Sequence, residues 1–543
     1  MNRRKFLKIL AGAGAAAASY SMWPAMADCQ GWAGSPRLII LYATCSVNKH
    51  YLSPYNPSVT YTPHLERFAA RAAVFDSCQS ECAQSGTAYA AILSGNQADV
   101  HGIFRQPARI DDSVFLITEA FAANGYDVYF WGGHPMADYK LNYGHGTKKE
   151  NAFPYQLLAD DPRLDPILRR LSDDKNYRVF ILTTFSVTHF PYCPVYPPYP
   201  SFPFYNVSRQ QYQKFYALGM IQPEFDRLGL SVTEIKFYYD LYVKHCPSLM
   251  CHFDKAASAL GLSPEKTGKL IRTIEYVYQV NIARLDMLFG EVVEKIEQYG
   301  LFNDSLIVFT ADHGETMYRD NAFLQFCHGF QLAPEQLCVP LMMSAPGAGI
   351  KPVVYDAVVR SVDIAPTITG LCGLRMGPTP AGIDLSQALT SDKSMPVLSA
   401  FSHTVLPLIP YTVLDYVENA VGYFLTRRRY SDNCETLKIL YPEKIPEMMW
   451  VAVRQENLVY KIAKFDLQKP VFKPAVFNLE EDPEERRNLY DSENPRQAKI
   501  LGDLMEYKQN LVAAYDRKME GKRNSTDIDR EEKLRRLRSL GYI

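Results

Sequence analysis

The chain has 543 residues, with 58 Lys and Arg against 59 Asp and Glu, for a formal net charge of −1. That length accommodates one large α/β domain with a smaller companion, and 47% apolar residues is ordinary for a globular protein. The near-neutral balance excludes a nucleic-acid binder, which would carry a basic surplus.

The N-terminus reads as an address label rather than as structure. Asn2-Arg-Arg-Lys-Phe-Leu-Lys8 has the form of a twin-arginine export signal, Ile9 to Ser19 is a short Ala/Gly-rich apolar region, and Ala25-Met-Ala27 supplies an A-x-A cleavage site. Residues 1–27 are therefore expected to be a signal peptide handled by the twin-arginine machinery, which leaves a periplasmic or secreted protein. The apolar run is too short to span a bilayer and no later run reaches 18 apolar residues, so no transmembrane domain is expected after signal removal. Eleven cysteines in an exported chain allow disulfides, with at least one thiol left over. Cys78 with Cys82, and Cys246 with Cys251, are close enough in sequence for local bridges. The spacings do not form a zinc-finger pattern.

Leu38-Ile-Ile-Leu-Tyr42 reads as a first buried strand, running into Ala43-Thr-Cys-Ser-Val-Asn48. Pro63 marks a helix start, with an amphipathic helix after it, and Val74-Phe75 is a short strand. In Ser85-Gly-Thr-Ala-Tyr-Ala-Ala-Ile-Leu-Ser-Gly95 small residues lead straight into a helix-forming run. Ser85 or Thr87 then lies at a helix N-terminus, where free N–H groups and the dipole stabilise negative charge. The plainer reading of Ser85 is an N-cap. Gly125 to His134 reads as a helix end, a strand and a loop, and Val179-Phe-Ile-Leu-Thr183 is another buried strand with His189 just beyond it. Pro191 to Phe215 is rich in Pro and aromatics: either a rigid surface loop packed by its own rings or a lid shaping a substrate entrance. Glu275 to Tyr299 carries apolar positions at helical spacing.

Leu306-Ile-Val-Phe309 is a short apolar run with β-branched members, the pattern of a strand buried on both faces. It ends in Thr310-Ala-Asp-His-Gly-Glu315, so Asp312 and His313 leave a buried strand together, at the strand end where open α/β sheets bind ligands. The plain alternative is a turn in which both satisfy backbone groups and Gly314 supplies an unusual φ. His328 follows, and then a second apolar run, Val339 to Met343. Beyond about residue 371 shorter apolar runs such as Leu458 to Ala463 point to a small antiparallel sheet.

The run FTADHGE at 309–315, His328-Gly329, APEQ at 333–336 and VPL at 339–341 together resemble the sulfatase and phosphoethanolamine-transferase branch of the alkaline phosphatase superfamily. Further segments agree. Residues 62–69 resemble the family's TPNLDRLA, and Ser85 through Leu93-Ser-Gly95 to His101-Gly-Ile103 aligns without gaps. His134 matches the His of G-K-W-H, with Gly132 where the Lys would be, and His189 to Tyr192 resembles H-x-P-Y. Val476 to Leu489 and Leu534 to Tyr542 resemble the sulfatase C-terminal subdomain.

The resemblance implies an α/β fold: an alkaline-phosphatase-like three-layer sandwich with a central, mostly parallel sheet over residues 36–370, with a 190–270 insertion. A small C-terminal α+β subdomain with an antiparallel sheet, 371–543, would complete it. It also implies a hydrolase or transferase of sulfate or phosphate esters, on a small-molecule, glycan or lipid-headgroup substrate, with one or two divalent metals (Zn, Ca or Mg). Carried over by position, Ser85 is the nucleophile, with Thr87 the alternative because Thr-Ala-Tyr resembles the phosphoethanolamine transferases. Asp312 and His313 bind metal, and His134, His189 and His328 handle oxygens and protons. Two departures stand out. The C-x-P-x-R motif whose first residue becomes formylglycine is replaced by Ser85-Gly-Thr-Ala-Tyr89, which favours an unmodified hydroxyl. The acidic ligand expected after the first strand is missing, since no Asp or Glu occurs between Asp28 and Glu66. Either Cys45, with His50, replaces it in a softer site suited to zinc, or a metal is held weakly or not at all. The alternative is therefore a catalytically impaired member that binds a glycan or lipid headgroup.

Overall fold

The computed structural model describes residues 35–104, 106–190, 192, 222–250, 253–319, 325–329, 331–377, 380–391, 393–405, 449–465 and 472–521. The export signal at 1–27, nearly all of the Pro/aromatic stretch 191–215, the Cys246–Cys251 pair and the terminal 534–542 segment lie outside the described residues and side chains.

Among the described residues eight strands form the main sheet: β1 (Leu38–Thr44), β2 (Ala73–Gln79), β3 (Asp127–Gly132), β4 (Ala152–Phe153), β5 (Val179–Thr184), β6 (Ser305–Ala311), β7 (Cys338–Ser344) and β8 (Val354–Arg360). Their spatial order is β4-β3-β5-β1-β6-β7-β2-β8. Pairings from β4 through β6 are all parallel, and β7 runs antiparallel to both of its neighbours. The central strands β1, β5 and β6 are buried at every residue, as their unbroken apolar sequences require of strands covered on both faces.

Helices cover the sheet. The longest, Pro264–Gln298, opens on Pro264 and on Ser263, whose hydroxyl accepts from Lys266 N–H. It also caps another helix. Pro63–Ala69 has no side-chain cap of its own, and buried Asp286 accepts from the His64 and Leu65 N–H groups instead. Antiparallel β9 (Ser399–Val405), β10 (Met449–Gln455), β11 (Leu458–Phe465) and β12 (Phe472–Asn478) make a second sheet in the order β12-β11-β10-β9. The helix Pro495–Gly521 lays Ile500, Leu504 and Leu511 against it, in a core separate from the main one. Among the described residues no helix is long and apolar enough to cross a membrane.

The Cys78–Cys82 bridge that the spacing allows is not formed, and both thiols are free and buried. Cys78 lies within the sheet near Cys338, whereas Cys82 lies past the end of β2 beside the Thr87 hydroxyl. The two sulfurs therefore face different surroundings.

Candidate active site

Parallel register brings the site together. Thr44 at the end of β1 pairs with Ala311 of β6, Ala43 pairs with Thr184 of β5, and Thr184 pairs with Gly132 of β3. The residues just beyond these strand ends are Cys45, Asp312-His313, Thr188-His189 and His134. They therefore converge at one carboxyl edge, where parallel α/β sheets place their ligands. Cys45, Ser85, His134, His189, Asp312, His313 and His328 are all at 0% exposure.

Ser85 is the first residue of the helix Ser85–Ser94, and its N-cap is Gln84, not Ser85. The Ser85 hydroxyl is thus not spent on capping. Its Oγ lies 3.1 Å from His313 Nε2 and 3.4 Å from Cys45 Sγ. Thr87, also buried, sits beside Cys82, and no hydrogen bond among the described residues ties it to Asp312, His313 or Cys45. Gly314 is needed for space rather than for an unusual φ: a Cβ there would overlap the Glu335 carbonyl, and its N–H donates to Gln336 O at 2.8 Å.

Backbone contacts fix which ring nitrogens face the site. His313 Nδ1–H donates to Gly314 O at 2.9 Å, so the neutral ring carries its lone pair on Nε2, toward Ser85. His134 is the reverse. Met136 N–H donates to its Nδ1 at 3.1 Å, so the proton is on Nε2, a buried atom with no hydrogen-bond partner among the described residues. His189 Nδ1–H donates to Phe190 O at 2.5 Å. His328 Nδ1 lies 3.1 Å from Glu315 Oε2 and 3.3 Å from Ser46 Oγ. The His328 ring stands 4.2 Å from that of His313 and 4.6 Å from that of His189, centroid to centroid.

Burial pushes each of these groups toward its neutral form. It lowers the imidazoles of His134, His189 and His313, helped by the neighbouring rings, and takes His328 down to about 3. It raises Asp312 to about 7 and drives Glu315 and the Cys45 thiol up.

A divalent cation fits this donor set. Asp312 Oδ1 is occupied, accepting from His313 N–H at 2.6 Å and Ser46 N–H at 3.2 Å, while buried Oδ2 has no hydrogen-bond partner among the described residues. His313 Nε2 lies 3.5 Å from that Oδ2 and 3.8 Å from Cys45 Sγ. Donor atoms of Cys45, His134 and Asp312 also fall within 4.8 Å of one another. His134, however, faces inward with a protonated nitrogen, which suits an oxygen better than a metal. His50 is exposed on the turn Lys49–Tyr51, so it does not join the buried donors as the sequence had allowed.

Three participants were not singled out from sequence. Glu315 holds His328, Ser46 bridges Cys45 and His328 by its hydroxyl, and Tyr278 pins the Ser46 loop by donating to Ser46 O at 2.8 Å while accepting from Asn48 N–H. Glu315 stood inside the FTADHGE run, so its signal was present. Ser46 and Tyr278 carry none, because their roles come from the fold of a loop and a helix 232 residues away.

The sulfatase family model matches residues 38–374, more than half of the chain. An endo-4-O-sulfatase of Bacteroides thetaiotaomicron is 23% identical over 353 residues, 58% of this chain and 63% of that protein, so the chain spans just under two thirds of this relative's length. A solved 2-O GAG sulfatase superposes with a TM-score of 0.54 at 17% identity, covering 92% of this chain and 96% of that one. The phosphonate monoester hydrolase of Agrobacterium radiobacter superposes with a TM-score of 0.55 at 16% identity, covering 89% and 96%. At these identities the superpositions establish the fold, an alkaline-phosphatase-like sandwich with a mostly parallel sheet. The match to more than half of the chain establishes the rest: this protein belongs to the sulfatase family.

Proposed function

We propose that the chain is an exported, periplasmic or secreted, hydrolase or transferase that cleaves sulfate or phosphate esters through direct attack by Ser85. The observation that carries this reading is the placement of Ser85 Oγ, uncapped at a helix N-terminus and 3.1 Å from His313 Nε2. Sulfatase-family enzymes use a metal. A divalent cation (Zn, Ca or Mg) bound by Cys45, Asp312 and His313 would acidify the attacking hydroxyl and neutralise charge on the equatorial oxygens.

The chain's own groups do the rest. Ser85 Oγ forms a bond to sulfur or phosphorus as the bond to the ester oxygen breaks. His134 Nε2–H donates to a non-bridging oxygen in the water-poor site, where such a donor is worth most. The proton that Ser85 gives up is taken by a neutral imidazole of the cluster, His189 or the Glu315-held His328, and that ring then returns it to the departing alcohol. A water, or an acceptor alcohol in a transferase, then attacks the same sulfur or phosphorus and releases Ser85. The name of the endo-4-O-sulfatase relative favours an O-sulfate ester as substrate. The second reading, an impaired member that only binds a glycan or lipid headgroup, is favoured by one observation: the first strand leads into Cys45 and not into a carboxylate.

Turnover of an aryl sulfate and a bis-aryl phosphate by wild type, Ser85→Ala and Thr87→Ala separates these readings. Ser85→Ala is expected to abolish release of the aryl alcohol with folding and metal content intact, and Thr87→Ala to cost far less. The reverse order, or a covalent phosphate on Thr87 by mass spectrometry, overturns the assignment. No turnover by metal-loaded wild type favours the binding-only reading.

A further inference from the structure

We infer that the cation site of this chain, which has Cys45 where the resemblance calls for an acidic ligand, is one tetrahedral centre for a thiophilic divalent ion, zinc in the first place. Cys45, Asp312 and His313 would be its ligands, with Ser85 Oγ facing the remaining position. The inference rests on the active-site reading above and deepens it.

Geometry supplies the first argument. With bonds of about 2.0–2.1 Å to nitrogen and oxygen and about 2.3 Å to sulfur, a tetrahedral site has edges of roughly 3.3–3.6 Å between donors. Here Ser85 Oγ to His313 Nε2 is 3.1 Å, Ser85 Oγ to Cys45 Sγ 3.4 Å, His313 Nε2 to Asp312 Oδ2 3.5 Å and Cys45 Sγ to His313 Nε2 3.8 Å. Four edges thus come within a few tenths of an ångström of that tetrahedron.

The donors supply the second. Calcium takes six to eight oxygens and magnesium a near-ideal octahedron of them, whereas this cluster offers one carboxylate oxygen, one hydroxyl, one imidazole and one sulfur. Asp312 Oδ2 is buried and has no hydrogen-bond partner among the described residues, an arrangement that costs stability unless something binds it. His313 presents a lone pair because its Nδ1–H is held by Gly314 O, the outer-shell contact that orients a ligating imidazole. Thr188 donates to Cys45 O and fixes the backbone that carries the sulfur.

The test is spectroscopic. The full chain is stripped of metal and titrated with cobalt(II), then challenged with zinc, calcium or magnesium. Wild type is expected to bind one cobalt per chain, with intense tetrahedral visible bands and a thiolate-to-cobalt charge-transfer band in the near ultraviolet. Zinc should erase both sets, and millimolar calcium or magnesium neither. Cys45→Ser should lose the charge-transfer band. Should that variant fold poorly by circular dichroism, Cys45→Asp is read instead, with the expectation that the band is lost and preference moves toward calcium or magnesium. Weak octahedral bands, no thiolate band in wild type, or displacement of cobalt by calcium would overturn the inference. Turnover with calcium in Cys45→Asp and wild type alike would overturn it too, while leaving the hydrolase reading intact. The cobalt spectrum without any ester cleavage would do the opposite.

Discussion

Two buried clusters of carboxylates and histidines lie at opposite ends of one short stretch of chain, and they are finished differently. At the junction with the second sheet, both oxygens of Glu81 are used: Oε1 accepts from Ala98 N–H at 2.6 Å, and Oε2 lies 3.1 Å from His101 Nε2. His101 Nδ1 in turn accepts from Ile103 N–H, and His403 reaches Tyr507 from β9. Four residues on, Ser85 opens the other cluster, where Asp312 Oδ2 and His134 Nε2 lack partners among the described residues. The junction has one comparable atom, His403 Nε2, but its carboxylate is saturated. Burial is the same in both places, so burial does not separate structure from function. Between these two clusters the difference is an unspent oxygen on a carboxylate that has no Lys or Arg ion pair among the described residues, whereas the unpartnered oxygens of Glu224, Glu335 and Glu485 belong to groups held by Arg227, Arg319 and Lys461.

The sharpest way to break that comparison is to remove the unspent carboxylate. Asp312→Ala should empty the site of metal and lower turnover by at least about 10³-fold even in the folded fraction, over and above the stability lost by leaving the His313 and Ser46 N–H groups unpaired. Equal metal in mutant and wild type by elemental analysis would contradict it. Glu81→Ala should cost stability alone. It leaves His101 and Ala98 N–H unpaired in the core, so a loss of roughly 3 kcal/mol by urea titration is expected, with kcat of the folded fraction near wild type. A variant that kept its stability but lost activity would reverse the assignment of the two clusters.

A finer test separates donors from supports. His134→Ala removes a hydrogen bond aimed at the reacting group, and a loss of about 10²-fold or more in kcat is expected. Glu315→Gln leaves His328 in place but alters what its Nδ1 faces. A smaller fall, about tenfold, is expected, together with a displaced limb of the kcat pH profile. A pure KM effect in either variant would show that the residue binds substrate without acting on the bond.

Much of this arrangement was legible before any coordinates, for physical reasons. Strands covered on both faces must be apolar throughout, so β1, β5 and β6 announced themselves, and a ligand pair just past such a strand has few places to go. The contrast between the N-cap reading of Ser85 and its use at the site was not legible, because capping depends on which residue leaves the helical φ/ψ region, and here that residue is Gln84. The plain alternative, with Gly314 supplying an unusual φ, fails because the role of Gly314 is the close approach of another backbone segment. Tautomers were equally hidden. His134 and His313 look alike in sequence, and only Met136 N–H and Gly314 O make one a donor and the other an acceptor. The junction was missed because its partners come from residues 81, 101, 403 and 507, with no motif joining them.

The smallest effect is a pH dependence of stability that belongs to the junction. Burial raises Glu81 to about 8 and lowers His101 to about 3 and His403 to about 4. A carboxyl whose folded pKa is raised binds its proton more tightly in the native state, so its contribution is lost as pH climbs from the unfolded value, about 4.5, through 8. The histidines, depressed from about 6.5, act in the other direction: their contribution is complete above 6.5 and lost as pH falls toward 3–4. Between 4.5 and 6.5 the unfolded chain gains two histidine protons against one carboxyl proton retained by the native state, so stability still rises with pH. Above 6.5 only Glu81 titrates among the three, and stability should fall by about 2 kcal/mol up to pH 8. The junction therefore places its optimum near pH 6.5. Glu81→Gln keeps a neutral hydrogen-bonding group at the same place and should flatten the alkaline limb while leaving the acid limb. Urea midpoints from pH 4 to 8.5 on both proteins would show this as two curves that diverge only above about 6.5. Parallel curves would mean that Glu81 is ionised in the native state, with the proton on a histidine, and that this cluster is a charged pair after all.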